Sequence, residues 1–115
     1  MAVAELMAAL KDADPSARRQ AIFALGELSG RNATGAIIRA LDDPDFDVRL
    51  EAVIALGKIG DPAAIEPLID KLDSDDYFYV RKKAGYTLYL FLKQNNLDKR
   101  LRDKIMARWR SWYLT

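Results

Sequence analysis

From Pro15 onward, apolar residues recur three and four positions apart in blocks that end at a glycine or an aspartate-rich turn. In "PSARRQAIFALGELSG" the recurring set is Ile22, Leu25 and Leu28. In "FDVRLEAVIALGKIG" it is Val48, Ala52, Ala55 or Leu56, and Ile59. This is the spacing of one helix face. Asp14 before Pro15, and Asp61 before Pro62, read as helix starts, because the carboxylate satisfies a free amide and proline has none. Gly30 and Gly60 fall where a helix C-terminus calls for a left-handed residue. The pattern predicts an all-α chain of seven helices, near 2–11, 15–28, 33–42, 46–59, 63–73, 77–93 and 97–113.

The blocks repeat with a period of about 31 residues. "DPSARRQAIFALGELSG" aligns with "DFDVRLEAVIALGKIGD", so that Ala17-Arg18 falls on Val48-Arg49, and Ala24-Leu25-Gly26 on Ala55-Leu56-Gly57. A second unit follows each: "ATGAIIRALDD" aligns with "AAIEPLIDKLDS". The opening "VAELMAALKD" is another copy of that second unit, with Leu10, Leu41 and Leu72 in register. The chain divides into a partial repeat near 1–12, repeats near 14–43 and 45–74, and a divergent cap near 76–113. No single unit has enough apolar surface to stand alone, so neighbours must stack. The small residues Ala21, Ala24, Gly26, Ala52, Ala55 and Gly57 let helix backbones approach closely.

"DVRLEAVIALGKIGDPAAIEPLIDKLDSDD" resembles the HEAT-like repeat, in the short form first associated with phycobilisome lyases, and the resemblance covers about residues 3–92. It implies a right-handed α-solenoid of about three helix pairs closed by a divergent C-terminal helix. The family includes scaffolds, regulatory adaptors, lyase-type chaperones of pigment proteins and nucleic-acid binders, so the fold it implies is firmer than any function. It also implies a stacking ladder between successive repeats, here Arg18, Arg49 and Arg81 with Asp12 and Asp43. In such arrays the second helix of each pair is expected on the concave side. That expectation sets Arg39 and Asp70 in a row with Ala8, with Glu66 beside them, as a surface for a protein partner.

The third copy keeps Val80-Arg81 and Ala84, then departs. Tyr89 stands where earlier repeats have Gly26 and Gly57, so the next helix cannot pack as closely. The expected remedy is a cap in which Tyr86, Leu90 and Phe91 meet the stripe Leu97, Leu101, Ile105, Trp109 and Trp112. Tyr77, Phe78 and Tyr79 are consecutive, and one helix face cannot bury all three. Tyr77 and Tyr79 beside Lys82 are therefore candidate partner contacts. Arg100, Lys104 and Arg108 form a basic row on the last helix and join that candidate surface.

Composition narrows the chemistry. The 115 residues include no cysteine and no histidine. That removes disulfides, thiolate and imidazole metal ligands, thiol nucleophiles and the commonest general base. The aspartates of "DDPDFD" and "DSDD" lack the mid-loop glycine and distal glutamate of an EF-hand. Neither an enzyme nor a cofactor is expected. Charge is uneven: residues 1–92 hold 11 Lys/Arg against 15 Asp/Glu, while residues 93–115 hold 7 against 2. The acidic body argues against nucleic acid, although the basic last helix with Trp109 or Trp112 makes it an alternative. No apolar run is long enough to span a bilayer, and a cytoplasmic location is expected. The sequence thus reads as a non-enzymatic scaffold or adaptor that binds a protein, with an accessory or lyase-like factor of phycobilisome or pigment proteins as the alternative. The N-terminal helix, with no helix before it, is a candidate surface for a homodimer.

Overall fold

Aspartates close most of the turns, and seven helices lie between them. In the computed structural model, which describes residues 2–114, these are α1 (Val3–Ala9), α2 (Pro15–Leu28), α3 (Thr34–Ala40), α4 (Phe46–Ile59), α5 (Ile65–Ser74), α6 (Phe78–Leu92) and α7 (Lys99–Leu114). Asp14 accepts from the Ser16 amide, and Asp45 from those of Asp47 and Val48. Each such cap stabilises its helix by about 1 kcal/mol. Gly60 ends α4 in the left-handed region at φ 71°, its amide donating to the Leu56 carbonyl. Gly30 also has positive φ, 54°, but lies one residue past the Ser29 cap and opens a 3-10 turn, Gly30–Ala33. A second 3-10 turn, Pro62–Ala64, precedes α5. The first turn takes Ala33 and the second Ala63 and Ala64 from the helices the sequence pattern predicts, and α3 also ends earlier than expected, at Ala40.

The helices form two layers. α2, α4 and α6 lie side by side in one, and α1, α3, α5 and α7 make the other, each packed on its neighbours across the core. Ile22, Leu25, Ile37, Leu56, Ile65, Leu68, Leu88 and Phe91 fill the interior between them. Within the first layer the backbones come close. A methyl group on Gly26 would lie 3.2 Å from Ala55 Cβ, and one on Gly57 3.0 Å from Thr87 Cγ2. The two glycines therefore set the spacing of α2 against α4 and of α4 against α6.

The second layer is splayed. α1 barely touches α3, and α3 barely touches α5, whereas α2 runs along α4 and α4 along α6. Clefts of about 600 Å³, 360 Å³ and 420 Å³ open between α1 and α3, between α3 and α5, and between α5 and α7. When two bonded layers have unequal spacing, the array bends toward the tighter one. On this geometry the α2/α4/α6 layer is taken as the inner, concave one. This corrects the expectation that the helices bearing Arg39, Glu66 and Asp70 line the concavity. By contact the helices pair as α1–α2, α3–α4 and α5–α6, one helix out of phase with the division at 14–43 and 45–74.

Candidate protein-docking face

The ladder arginines Arg18, Arg49 and Arg81 sit near the starts of α2, α4 and α6, and the aspartates lie in the turns. Arg18 reaches Asp43 with two donors, Nε at 2.8 Å and a terminal nitrogen at 3.0 Å, while its other nitrogen donates to the carbonyls of Asp12 and Ala13. Arg49 repeats the arrangement one step on. It donates to both Asp75 oxygens at 3.0 and 3.3 Å, to Asp76 at 2.8 Å, and back to the carbonyls of Asp43 and Pro44. Each arginine thus joins the turn before its own helix to the turn of the next repeat. The hydrogen bond from Arg18 to Asp43 raises the already high pKa of that guanidinium.

Two ladder assignments change. Asp12 supplies a backbone carbonyl to Arg18, and its carboxylate caps the Asp14 amide instead of meeting an arginine. The carboxylate that Arg49 grips is Asp75, which the expected set omits. One signal points to it: Asp12, Asp43 and Asp75 each accept from the amide two residues on, a shared Asx geometry. Arg81 donates to the Asp75 carbonyl at 2.6 Å but meets no carboxylate among the described residues. It lies 5.7 Å from the centre of the Phe78 ring instead.

The basic row on α7 faces α5, not solvent alone. Lys104 pairs with Glu66 at 2.6 Å, Arg100 lies 3.9 Å from the same carboxylate, and Arg108 pairs with Asp73. Glu66, Arg100, Lys104 and Arg108 are thus engaged with one another or with α5, and Asp70 lines the cleft between α5 and α7. Arg39 stands apart, exposed at the cleft between α1 and α3. The structure does not bring Arg39, Glu66 and Asp70 together with Tyr79 and Lys82, which lie on the opposite layer.

The Lys104 hydrogen bond holds the Glu66 carboxyl below the usual carboxylate range. A carboxyl lowered on folding stabilises the fold above its unfolded pKa, and that contribution fades as pH falls through the folded one. Glu66→Gln should therefore lower Tm relative to the parent chain at neutral pH, with the two melting curves converging in acid. A gap that persists at pH 3 would show that the ion pair is not its cause.

Two residues with no sequence signal tie the cap in place. Arg102 donates to the carbonyls of Leu92 and Gln94 at 2.8 and 3.0 Å, covering the exposed end of α6. Gln94 in turn donates to the Gly60 carbonyl at 2.9 Å. Tyr89, in the place of the missing glycine, stacks on Trp109 with ring centres 6.3 Å apart. Phe91 is buried, but Tyr86 and Leu90 point to solvent and do not meet the α7 stripe as expected.

The exposed aromatics collect on the concave layer. In register along the repeats, Phe23 on α2, Ile54 on α4 and Tyr86 on α6 form one row, and Arg19, Leu50 and Lys82 form the next. Phe23, Tyr79 and Tyr86 are each about half exposed, at 49%, 57% and 51%. A depression of about 550 Å³ is bounded by Leu50, Tyr79, Lys82, Lys83 and Tyr86. Tyr77, by contrast, is half-buried against Phe46, with ring centres 4.2 Å apart, and serves the turn more than a partner.

With the paired helices, the stacked repeats and the arginine links in place, a family model described as HEAT repeats matches residues 3–88. The chain belongs to the HEAT-repeat family. No curated protein matches this HEAT-repeat chain. Among solved structures it is similar to a chain in the complex of CpcE and CpcF of phycocyanin lyase from Nostoc sp. PCC7120, with a TM-score of 0.71 and 25% identity. The alignment covers 92% of this HEAT-repeat chain and 64% of that one, so it spans less than two thirds of the longer protein. Among the described residues no helix is long and apolar enough to cross a membrane, and no group of three or more carboxylates converges as a metal site.

Proposed function

We propose that this chain is a non-enzymatic protein-interaction module whose partner docks against the concave α2/α4/α6 face, with its centre at Tyr79, Lys82 and Tyr86. The observation that carries the proposal is that the half-exposed rings of Phe23, Tyr79 and Tyr86 all lie on the α2/α4/α6 layer, with Phe23 and Tyr86 in one row on either side of Ile54. Aromatic residues dominate the energetics of protein interfaces, and a partner that covers them removes large apolar area from water. The row Arg39, Glu66 and Asp70 has a lesser claim, because it lies on the splayed side and Glu66 is engaged with α7. Self-association through α1 is also the weaker reading: Leu6 is buried and Met7 and Leu10 are half-buried, leaving Val3 as the large apolar residue α1 exposes.

A second reading draws on the likeness to a chain of the CpcE–CpcF complex: an accessory, lyase-like subunit that works beside another protein of a pigment-attaching system. With neither cysteine nor histidine, this chain would contribute surface and not a covalent tether through those side chains. Nucleic-acid binding through α7 is disfavoured, since three cations of its basic row face Glu66 and Asp73.

A photo-crosslinking amino acid placed at position 86, and separately at position 39, tests the docking face. The expected result is a discrete protein adduct from position 86 and none from position 39 in cells of the source organism. Adducts only from position 39 would move the interface to the splayed layer and overturn the proposal.

A further inference from the structure

The chemistry of the concave face is more specific than exposed aromatic surface alone. Lys82 and Lys83 flank the depression between Leu50, Tyr79 and Tyr86, and neither has a carboxylate partner among the described residues. Most lysines elsewhere do: Lys58 pairs with Glu27, Lys71 with Asp42, Lys99 with Asp103 and Lys104 with Glu66. Lys83 is turned toward the rim, its Nζ 5.3 Å from the centre of the Tyr86 ring. The site therefore presents two ammonium groups without a direct ion pair among the described residues, beside an apolar hollow walled by two tyrosines.

We infer that the partner segment seated here is an acidic protein segment carrying one large apolar side chain. The apolar group enters the hollow between Leu50, Tyr79 and Tyr86, and flanking carboxylates meet Lys82 and Lys83. Phosphate chemistry fits less well. Asp47 and Glu51 of α4 stand in register with Tyr79 and Lys83, one helix away, so the positive patch is confined to the α6 edge and matches a short segment with a few carboxylates rather than a continuous polyanion. Charge matching of this kind speeds encounter and sets register, while the buried apolar contact slows release.

The inference rests on the concave face being the docking surface, and the experiment separates the two. A library of random 16-residue peptides is selected by display on the full chain, and enriched peptides are then measured by fluorescence anisotropy. The expected outcome is enrichment in Asp and Glu around a single Leu, Phe or Trp. Affinity should fall at least tenfold in Lys82→Glu/Lys83→Glu, and less in Lys82→Gln/Lys83→Gln, while both variants melt like the parent chain. Tyr86→Ala should weaken the same peptides. Neutral or basic peptides that still depend on Tyr86 would overturn the acidic-partner inference and leave the docking face standing. Peptides indifferent to Tyr86→Ala would overturn both. A 20-residue oligouridylate that binds more tightly than any selected peptide would overturn the inference in favour of nucleic acid.

Discussion

Arg49→Ala should cost the fold about 3 kcal/mol or more, the largest loss among the three ladder arginines, because it leaves a buried carboxylate without its main counter-charge. The Asp75 side chain is 1% exposed and that of Arg49 11%, so water cannot replace what is lost. Lys71, 3.9 Å from Asp75, offsets part of the cost and holds the figure toward the lower end of that range. The same deletion should matter less at Arg18, whose partner Asp43 retains some contact with water. It should matter least at Arg81, where a hydrogen bond to the Asp75 carbonyl is lost and no carboxylate is stranded. Urea unfolding followed by far-UV circular dichroism gives the three midpoints. Equal losses at all three arginines would show that the bridge to the next repeat is not the source of the stability.

Ile105→Ala should release α7 while the rest of the array stays folded. Ile105 is fully buried, and its truncation is expected to cost about 2–5 kcal/mol. Little else anchors α7 by apolar contact: Leu97 lies just ahead of the helix at 9% exposure, and Leu101 and Trp112 are only partly covered. Further ties include the stack of Trp109 on Tyr89, the ion pairs to Glu66 and Asp73, and the Arg102 bonds to the end of α6. Both tryptophans of the protein lie on α7, so tryptophan fluorescence reports this helix while circular dichroism reports all seven. In the variant the fluorescence transition should precede the dichroism transition. Coincident transitions at lower denaturant would mean that α7 and the repeats unfold as one unit.

Much of this architecture is legible in the sequence because it depends on short-range rules. Asp14-Pro15 announces the start of α2, Gly60 announces the end of α4, and the Ala-Leu-Gly frame announces close approach between helices. The two 3-10 turns escape the same reading, since "GRNA" and "PAA" carry no periodicity of their own. Asp75 is missed as the partner of Arg49 because the extra residue before the third repeat shifts it from the position that Asp43 occupies. The direction of curvature is lost for a different reason. It follows from the difference between two interhelix spacings, and an apolar pattern specifies which face of a helix is buried without specifying how far away its neighbour lies. Tyr79 and Lys82 were nevertheless legible as exposed residues, since three consecutive aromatics cannot all be inside and the lysine lies beside them. Leu50, Lys83 and Tyr86 join them only once the helices are laid side by side.

The contrast between the two layers has a mechanical meaning. The α2/α4/α6 layer, in van der Waals contact at Gly26 and Gly57, behaves as an inextensible spine, because neither shortening nor lengthening it is cheap. The opposite layer has gaps, so its helices can swing together or apart without losing packed surface. Bending is therefore the soft deformation of this protein and stretching the stiff one. A partner docked as proposed on the α2/α4/α6 face would thereby tune the radius of the cradle that holds it, at the expense of the clefts behind.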